Sequence, residues 1–154
     1  MDPSGALRPL DKGMSIEIRL LDRGEEAIRA HVAPAVFDNE VEHDLARDFL
    51  ADPHHHIAVA IDRGTVVAFA SGVDYIHPDK SRELFVNEVG TAPTHRGRGL
   101  AKAVLGALLD RGRALGCKIA WVLTDTDNAP ARALYSALNG KELTLDTVHI
   151  EFDL

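Results

Sequence analysis

The chain has 154 residues, 45% hydrophobic and 27% charged, with 24 acidic against 17 basic side chains and a formal charge of −7. About 100–200 residues per domain is usual, so this length predicts one domain with a core large enough to fold without staples. The single cysteine, Cys117, excludes an intramolecular disulfide framework, the acidic balance and 5% aromatics argue against nucleic-acid binding, and no apolar run approaches the roughly 18 residues of a membrane span.

Residues 1–13 read as a loose polar lead with no apolar signal-peptide region, which together with one cysteine predicts a cytoplasmic protein. The domain is then residues 14–154. Ile16, Ile18 and Leu20 alternate with polar residues, as in a half-buried strand. Helical regions follow over Gly24–Val36, bent or ended by Pro34, and over Glu40–Leu50, ended before Pro53. Ile57–Ile61 and Thr65–Ile76 flank Asp62-Arg63-Gly64, which is turn chemistry, and read as a hairpin. Leu84–Thr91 is a further strand. Gly99–Leu115 carries the strongest helical period, on Leu100, Val104, Leu108 and Leu115, with Ala103, Ala107 and Arg111 between them and Gly116 as its cap. Ile119–Leu123 reads as a strand buried on both faces, Asn128–Leu138 as a helix, and Leu143–Leu154 as closing strand material. This order predicts an α/β fold, a mixed sheet with helices on its faces.

The stretch Val89-Gly90-Thr91-Ala92-Pro93-Thr94-His95-Arg96-Gly97-Arg98-Gly99-Leu100-Ala101 carries the most chemistry. A strand stops, a basic glycine-rich turn follows, and a long helix begins. Free N–H groups at a helix start form an anion site, Gly97 and Gly99 permit close approach, and Arg96 and Arg98 suit phosphate oxygens. The bland alternative is an ordinary connection with two solvated arginines. A dinucleotide fingerprint fails at Lys102, and no Walker A string occurs.

Arg96-Gly97-Arg98-Gly99-Leu100-Ala101 resembles the Q/R-x-x-G-x-G/A acetyl-CoA signature of the GNAT superfamily of N-acetyltransferases. Asn128, Ala131, Tyr135 and Gly140 resemble the family's second stretch, N-x-x-A-x-x-x-Y followed by glycine, and the element order matches over about residues 15–154. The resemblance implies a mixed, mostly antiparallel central sheet flanked by helices on both faces. It implies acetyl-CoA as cosubstrate, with no metal. The pyrophosphate would lie at residues 96–101, and the pantetheine arm along Val89–Thr91 by strand addition. Asn128 would help position that arm.

Acetyl transfer to an amine needs a proton acceptor, donors for the oxyanion, and an acid for the leaving thiolate. Glu88 is the base candidate, its pKa raised by partial burial, or else an anchor for a cationic substrate. The Val89 N–H is the oxyanion-donor candidate, freed by a strand bulge in similar folds. Tyr135 is the acid candidate, although Ala131, Leu134, Tyr135 and Leu138 also form one apolar helix face that would make it core. His95 and Lys102 either touch the coenzyme or are solvated. Adjacent His54, His55 and His56 cannot all face one ion, and Cys117 reads as a buried inert thiol.

Within the family the chain is most similar to the aminoglycoside 3-N-acetyltransferases of type I. The features are Tyr75 and Pro78 ending a strand, Glu83-Leu84-Phe85-Val86 after a charged loop, Glu88 where that group carries aspartate, and a short acidic end, Glu151-Phe152-Asp153. The resemblance implies direct transfer to a cationic small-molecule amine, the 3-amino group of an aminoglycoside favoured, with Glu88 and Tyr75 on the acceptor. From charge alone, Asp125 and Asp127 past the central strand, with Asp38, Glu40, Glu42 and Asp44 near the early helices, would focus a negative field on that amine; the alternative is a solvated acidic surface. Protein amino termini, lysines and polyamines are rival acceptors, and a CoA-binding sensor without catalysis is a rival class. The resemblance also allows a homodimer.

Overall fold

The computed structural model describes residues 15–144 and 146–154; the lead, residues 1–13, lies outside them. Five strands form one sheet in the order β1-β2-β3-β4-β5. They are β1 (Glu17–Leu20), β2 (His55–Asp62), β3 (Thr65–His77), β4 (Lys80–Thr91) and β5 (Ile119–Trp121). The first four pair antiparallel, and β5 joins β4 in parallel. Among the described residues three α-helices accompany them: α1 (His43–Ala51), α2 (Leu100–Ala114) and α3 (Ala129–Ala137). Among the described residues no helix is long and apolar enough to cross a membrane.

The hairpin between β2 and β3 turns at Arg63 and Gly64, both with positive φ (51° and 80°), the geometry of a tight turn that follows strand twist. Side chains alternate across the two strands, so one face carries Ala58, Ala60, Ala68, Ala70 and Gly72, and the four alanines are wholly buried. These small side chains let α2 lie close, with Leu100, Val104, Leu105 and Leu108 buried against the sheet. Gly112 completes that face, since a Cβ there would stand 2.9 Å from Leu84. The helical face therefore rotates from the one expected: Gly112 points inward and Arg111 is exposed. Gly116, at φ 85°, follows the helix end as expected. The opposite sheet face carries Ile57, Val59, Phe69 and Ser71, and α1 packs over it.

Four expectations need correction. The helix expected over Gly24–Val36 is only a 3₁₀ turn at Glu26–Ala30. Beyond it Val66 captures the backbone: its N–H donates to the His31 carbonyl (2.8 Å) and its carbonyl accepts from Ala33 (2.9 Å), which holds Val32 extended. Helix α1 starts at His43 rather than Glu40, because Glu42 is still extended (φ −80°, ψ 142°). Strand β5 is not buried on both faces; it is a sheet edge, with Ile119 57% and Trp121 38% exposed. Finally, residues 143–154 form no strand among those described, and their side chains are exposed.

A buried polar cluster sits between the ends of β2, β3 and β4. Asp74 is 2% exposed. His56 Nε2 lies 2.6 Å from its Oδ1 and His54 Nδ1 3.2 Å from its Oδ2, and Arg82 donates to Oδ2. This is what two of the three adjacent histidines do.

Candidate active site

The centre of the site is the parting of β4 from β5. Their pairing covers only Glu83–Phe85 with Ile119–Trp121, whereas β3 follows β4 to Thr91. From Val86 to Thr91 the second edge of β4 has no strand beside it among the described residues. Here β4 also bulges: Ser71 pairs with Glu88 and Gly72 with Val86, leaving Asn87 as the extra residue. A bulge bends a strand and re-aims the groups that follow, here Glu88 and Val89.

Beyond Thr91 the chain makes a short 3₁₀ turn at Pro93–His95 and enters α2. Gly97 and Gly99 both take left-handed φ (75° and 76°), and a Cβ at either would meet nothing within 4 Å. Gly99 is the N-cap of α2 and no side chain caps the helix there. The first intrahelical bond runs from the Ala103 N–H to the Gly99 carbonyl, so the amides of Leu100, Ala101 and Lys102 remain available to an anion. Arg96 and Arg98 are exposed beside them, without ion pairs among the described residues. The open space at both glycines and the uncapped amides fit a pyrophosphate.

The turn is braced from below. His95 Nε2 lies 2.8 Å from Asp62 Oδ2, and the Thr94 hydroxyl lies 2.8 Å from His95 Nδ1. His95 is thus tied to the β2–β3 hairpin rather than turned to solvent. The hydrogen bond from His95 holds the Asp62 carboxyl below its ordinary range.

Other candidate residues are placed as follows. Glu88 is exposed, so the partial burial expected of it is not found, and it makes no hydrogen bond or ion pair among the described residues. It lies on the α1 side of the sheet, opposite Ser71. Asn128 caps α3, its Oδ1 accepting from the Ala131 N–H at 3.2 Å. Tyr135 is half-buried on the inward face of α3 with Ala131, Leu134 and Leu138, the face its spacing predicts. Burial pushes its phenol pKa up, which keeps the hydroxyl protonated. Its oxygen has no hydrogen-bond partner among the described residues. Asp125 and Asp127 are exposed on the loop between β5 and α3. Tyr75 is not brought to Glu88. It pairs with Glu83, five residues away along β4, or roughly 15 Å. Its hydroxyl donates to Glu83 Oε2 (2.7 Å) and accepts from Trp121 Nε1 (2.7 Å). Cys117 is half-buried, with its thiol pushed up by burial and by nearby Asp74.

Two features of the site were not read from the sequence. First, the segment before α1 closes on β4 at Gly90, where a Cβ would lie 2.4 Å from the Val36 carbonyl oxygen. Phe37 stacks on Phe69 with ring centroids 4.1 Å apart. A glycine in a strand often marks such an approach, and this was the available signal. Second, a cavity of about 290 Å³ lies between α1 and the sheet. Glu88, Asn87 and Ser71 form part of its wall, and Phe37, Val41, Leu45, Phe49, Ile57 and Phe69 are among the apolar side chains of the rest. Its apolar character comes from side chains on four different elements.

Comparison with known proteins agrees with this geometry. Residues 23–140 match the acetyltransferase (GNAT) family. The chain is 31% identical over 112 residues to the N-alpha-acetyltransferase RimI of Mycobacterium tuberculosis, a match covering 73% of this chain and 63% of that protein. It is 33% identical over 101 residues to an L-2,4-diaminobutyric acid acetyltransferase of Nocardia farcinica, covering 64% and 49%. The chain thus spans about half to just under two thirds of these relatives. Among solved structures it superposes on an aminoglycoside acetyltransferase from an uncultured soil metagenomic sample with a TM-score of 0.74 at 24% identity, covering 92% of this chain and 99% of that one. The aminoglycoside N-acetyltransferase AAC(6')-Iy in complex with CoA superposes with a TM-score of 0.71 at 21% identity, covering 92% and 98%. With the family model covering most of the chain, and with the parted strands leading into an uncapped, glycine-rich helix start, the protein belongs to the GNAT acetyltransferase family.

Proposed function

We propose that this chain is an N-acetyltransferase that moves an acetyl group from acetyl-CoA directly to a primary amine of a cationic small molecule, with the 3-amino group of an aminoglycoside as the favoured acceptor. The observation that carries the reading is the uncapped start of α2 beside the unpaired edge of β4. The amides of Leu100–Lys102 with Arg96 and Arg98 hold the pyrophosphate, Gly97 and Gly99 leave room for it, and Val89–Thr91 pair with the pantetheine arm. The bound coenzyme supplies an acetyl thioester at the bulge. Glu88 takes the acceptor's proton, directly or through water, or holds the ammonium before that step. The Val89 N–H faces the carbonyl oxygen as charge develops there. Tyr135, kept protonated by burial, donates its proton to the departing sulfur. Asn128 positions the arm through the half of its amide not used as a cap.

The resemblance in the stretch from Tyr75 to Glu88 supports an aminoglycoside, and the exposed acidic side chains Asp38, Asp125 and Asp127 suit a cationic acceptor. One observation favours a second acceptor class. The cavity beside Glu88 is walled mainly by apolar side chains, which suits an amine carrying an apolar group, such as an amino acid or peptide end, better than a polyhydroxylated sugar.

Thiol release from acetyl-CoA across aminoglycosides, polyamines, amino acids and peptides separates these readings. Aminoglycosides are expected to give the highest kcat/KM. Preference for an apolar amino acid or peptide amine selects the second class. Binding of coenzyme with no release on any amine makes the chain a sensor. Separately, Gly99→Val weakens coenzyme binding by about tenfold or more, a loss of about 1.4 kcal/mol, because a β-branched side chain resists the left-handed φ and crowds the phosphates. Calorimetric titration with CoA checks this, and unchanged affinity rejects the turn as the pyrophosphate site.

A further inference from the structure

The cavity between α1 and the sheet has a second polar end. Part of its lining crosses the sheet in one row: Leu21 bonds Ile57, Ile57 pairs with Ser71, and Ser71 pairs with Glu88. Three strand spacings separate the ends of that row, roughly 14 Å. Glu88 stands at the β4 end. At the other end, where the chain leaves β1, the 3₁₀ turn Glu26–Ala30 contributes Glu26 and Arg29 to the wall. Between the two ends the lining is mainly apolar.

That turn is clamped at both ends. Before it, Glu25 Oε1 accepts from Arg19 Nη1 of β1 (2.6 Å) and Oε2 accepts from the Asp22 N–H (2.6 Å). After it, Val66 holds His31 and Ala33 by backbone bonds. Glu26 and Arg29 are three residues apart, so they stand on one side of the 3₁₀ turn. The spacing suits an ion pair. Yet Glu26 Oε2 and Arg29 Nε are shut off from solvent and have no hydrogen-bond partner among the described residues. Buried polar atoms without partners are rare in folded proteins. Together they offer one acceptor and one N–H donor at the same end of the cavity. A carboxylate placed there meets Arg29 but is repelled by Glu26, and an ammonium has the reverse conflict. An apolar end pairs neither atom. A neutral group that both donates and accepts, a hydroxyl or a carboxamide, satisfies both.

We propose that Glu26 and Arg29 are specificity-determining residues at the far end of the acceptor cavity, and that they select an amine whose remote end is a neutral hydroxyl or carboxamide joined to it by an apolar stretch. The proposal rests on acetyl transfer at Glu88, which meets the amine at the near end. Placing the remote group between two opposite charges makes the site a filter against charged ends as well as a holder of the right one. The clamped turn fixes the backbone of both residues before the acceptor arrives, so little ordering is left to binding.

The test uses the full chain saturated with CoA and alkylamines that share a six-carbon chain and differ only at the remote end: aminohexanamide, aminohexanol, aminohexanoate, diaminohexane and hexylamine. Binding is followed by NMR, with the Arg29 Nε–H signal assigned by its loss in Arg29→Met. The amide or alcohol is expected to bind about tenfold tighter than hexylamine, the worth of one or two hydrogen bonds, and to shift that signal. Whichever of the two binds tighter identifies the natural end group. Glu26→Gln should move the preference toward aminohexanoate, and Arg29→Met toward diaminohexane. Equal affinity for all the ends, no binding of any of them, or an Arg29 signal that none of them moves overturns the proposal in the wild-type chain alone. Folded variants that keep the wild-type order overturn it too. Thiol release from acetyl-CoA with the same amines separates this from the transfer reading. Probes that bind with the expected preference but are never acetylated leave the pocket standing and reject transfer at Glu88. Acetylation that ignores the end group does the opposite.

Discussion

Glu88→Gln and Tyr135→Phe each lower turnover by about 10²–10⁴-fold, the range expected when a positioned proton donor or acceptor is removed. Tyr135→Phe keeps the ring that packs against the buried core, as Leu134 and Leu138 do, so folding and coenzyme affinity should hold while the proton donor disappears. The loss then falls on kcat, as for an interaction used only in the transition state. Burial raises the phenol pKa, so the wild-type acid limb should lie above the ordinary tyrosine value near 10. Turnover unchanged in Tyr135→Phe rejects the acid role and leaves the residue as core. Glu88 has two roles to separate. A base lost by Glu88→Gln lowers kcat, whereas a lost ammonium anchor raises the acceptor KM with kcat nearly kept. Steady-state kinetics with the best amine from the acceptor panel decides between them.

Asp74→Asn destabilises the fold by about 3 kcal/mol, the lower end of the range for removing one partner from a buried ionic cluster. The lower end applies because Arg82 is about a third exposed (32%) and can turn to water, while the His56 side chain at 5% cannot. Burial alone would raise the Asp74 pKa, but hydrogen bonds from His56, His54 and Arg82 together outweigh it, and the carboxyl sits below its ordinary value. A depressed folded pKa means that this stabilisation is complete above the unfolded value near 3.9. It is lost as the pH falls through that value toward the folded one. Urea unfolding of both proteins should therefore show the full gap at pH 7 and a shrinking gap below about pH 4. Equal stability at pH 7 refutes the account. Because the cluster lies at the far end of β4 from Glu88, coenzyme binding by the folded variant should be unaffected.

The sequence by itself determined those parts of the protein whose geometry is local. Asp62-Arg63-Gly64 specifies a hairpin because Gly64 takes a left-handed φ at no steric cost, and Arg63 follows it there in the tight turn. Asn128 specifies a helix start because its own side chain can bond the amide three residues on. The run from Arg96 to Ala101 specifies an open, uncapped helix start because Gly97 and Gly99 take the left-handed φ that such a turn needs. The small residues Ala58, Ala60, Ala68 and Ala70 could be seen in the sequence, but not as the floor for α2, because that needs the pairing register of β2 with β3. Non-local pairing likewise decided where the expectations failed. Val66 draws residues 31–33 out of a helix through backbone bonds that no local pattern announces. The bulge at Asn87 exists only as a mismatch of count between β3 and β4. The loop at Val36 reaches Gly90 across the fold, and the cavity beside Glu88 needs α1 over the sheet. Strand β5 has an apolar sequence suited to two-sided burial, yet it stands at an edge because nothing within the described chain pairs beyond it. An edge is a property of the assembled sheet, so tertiary structure alone decides it.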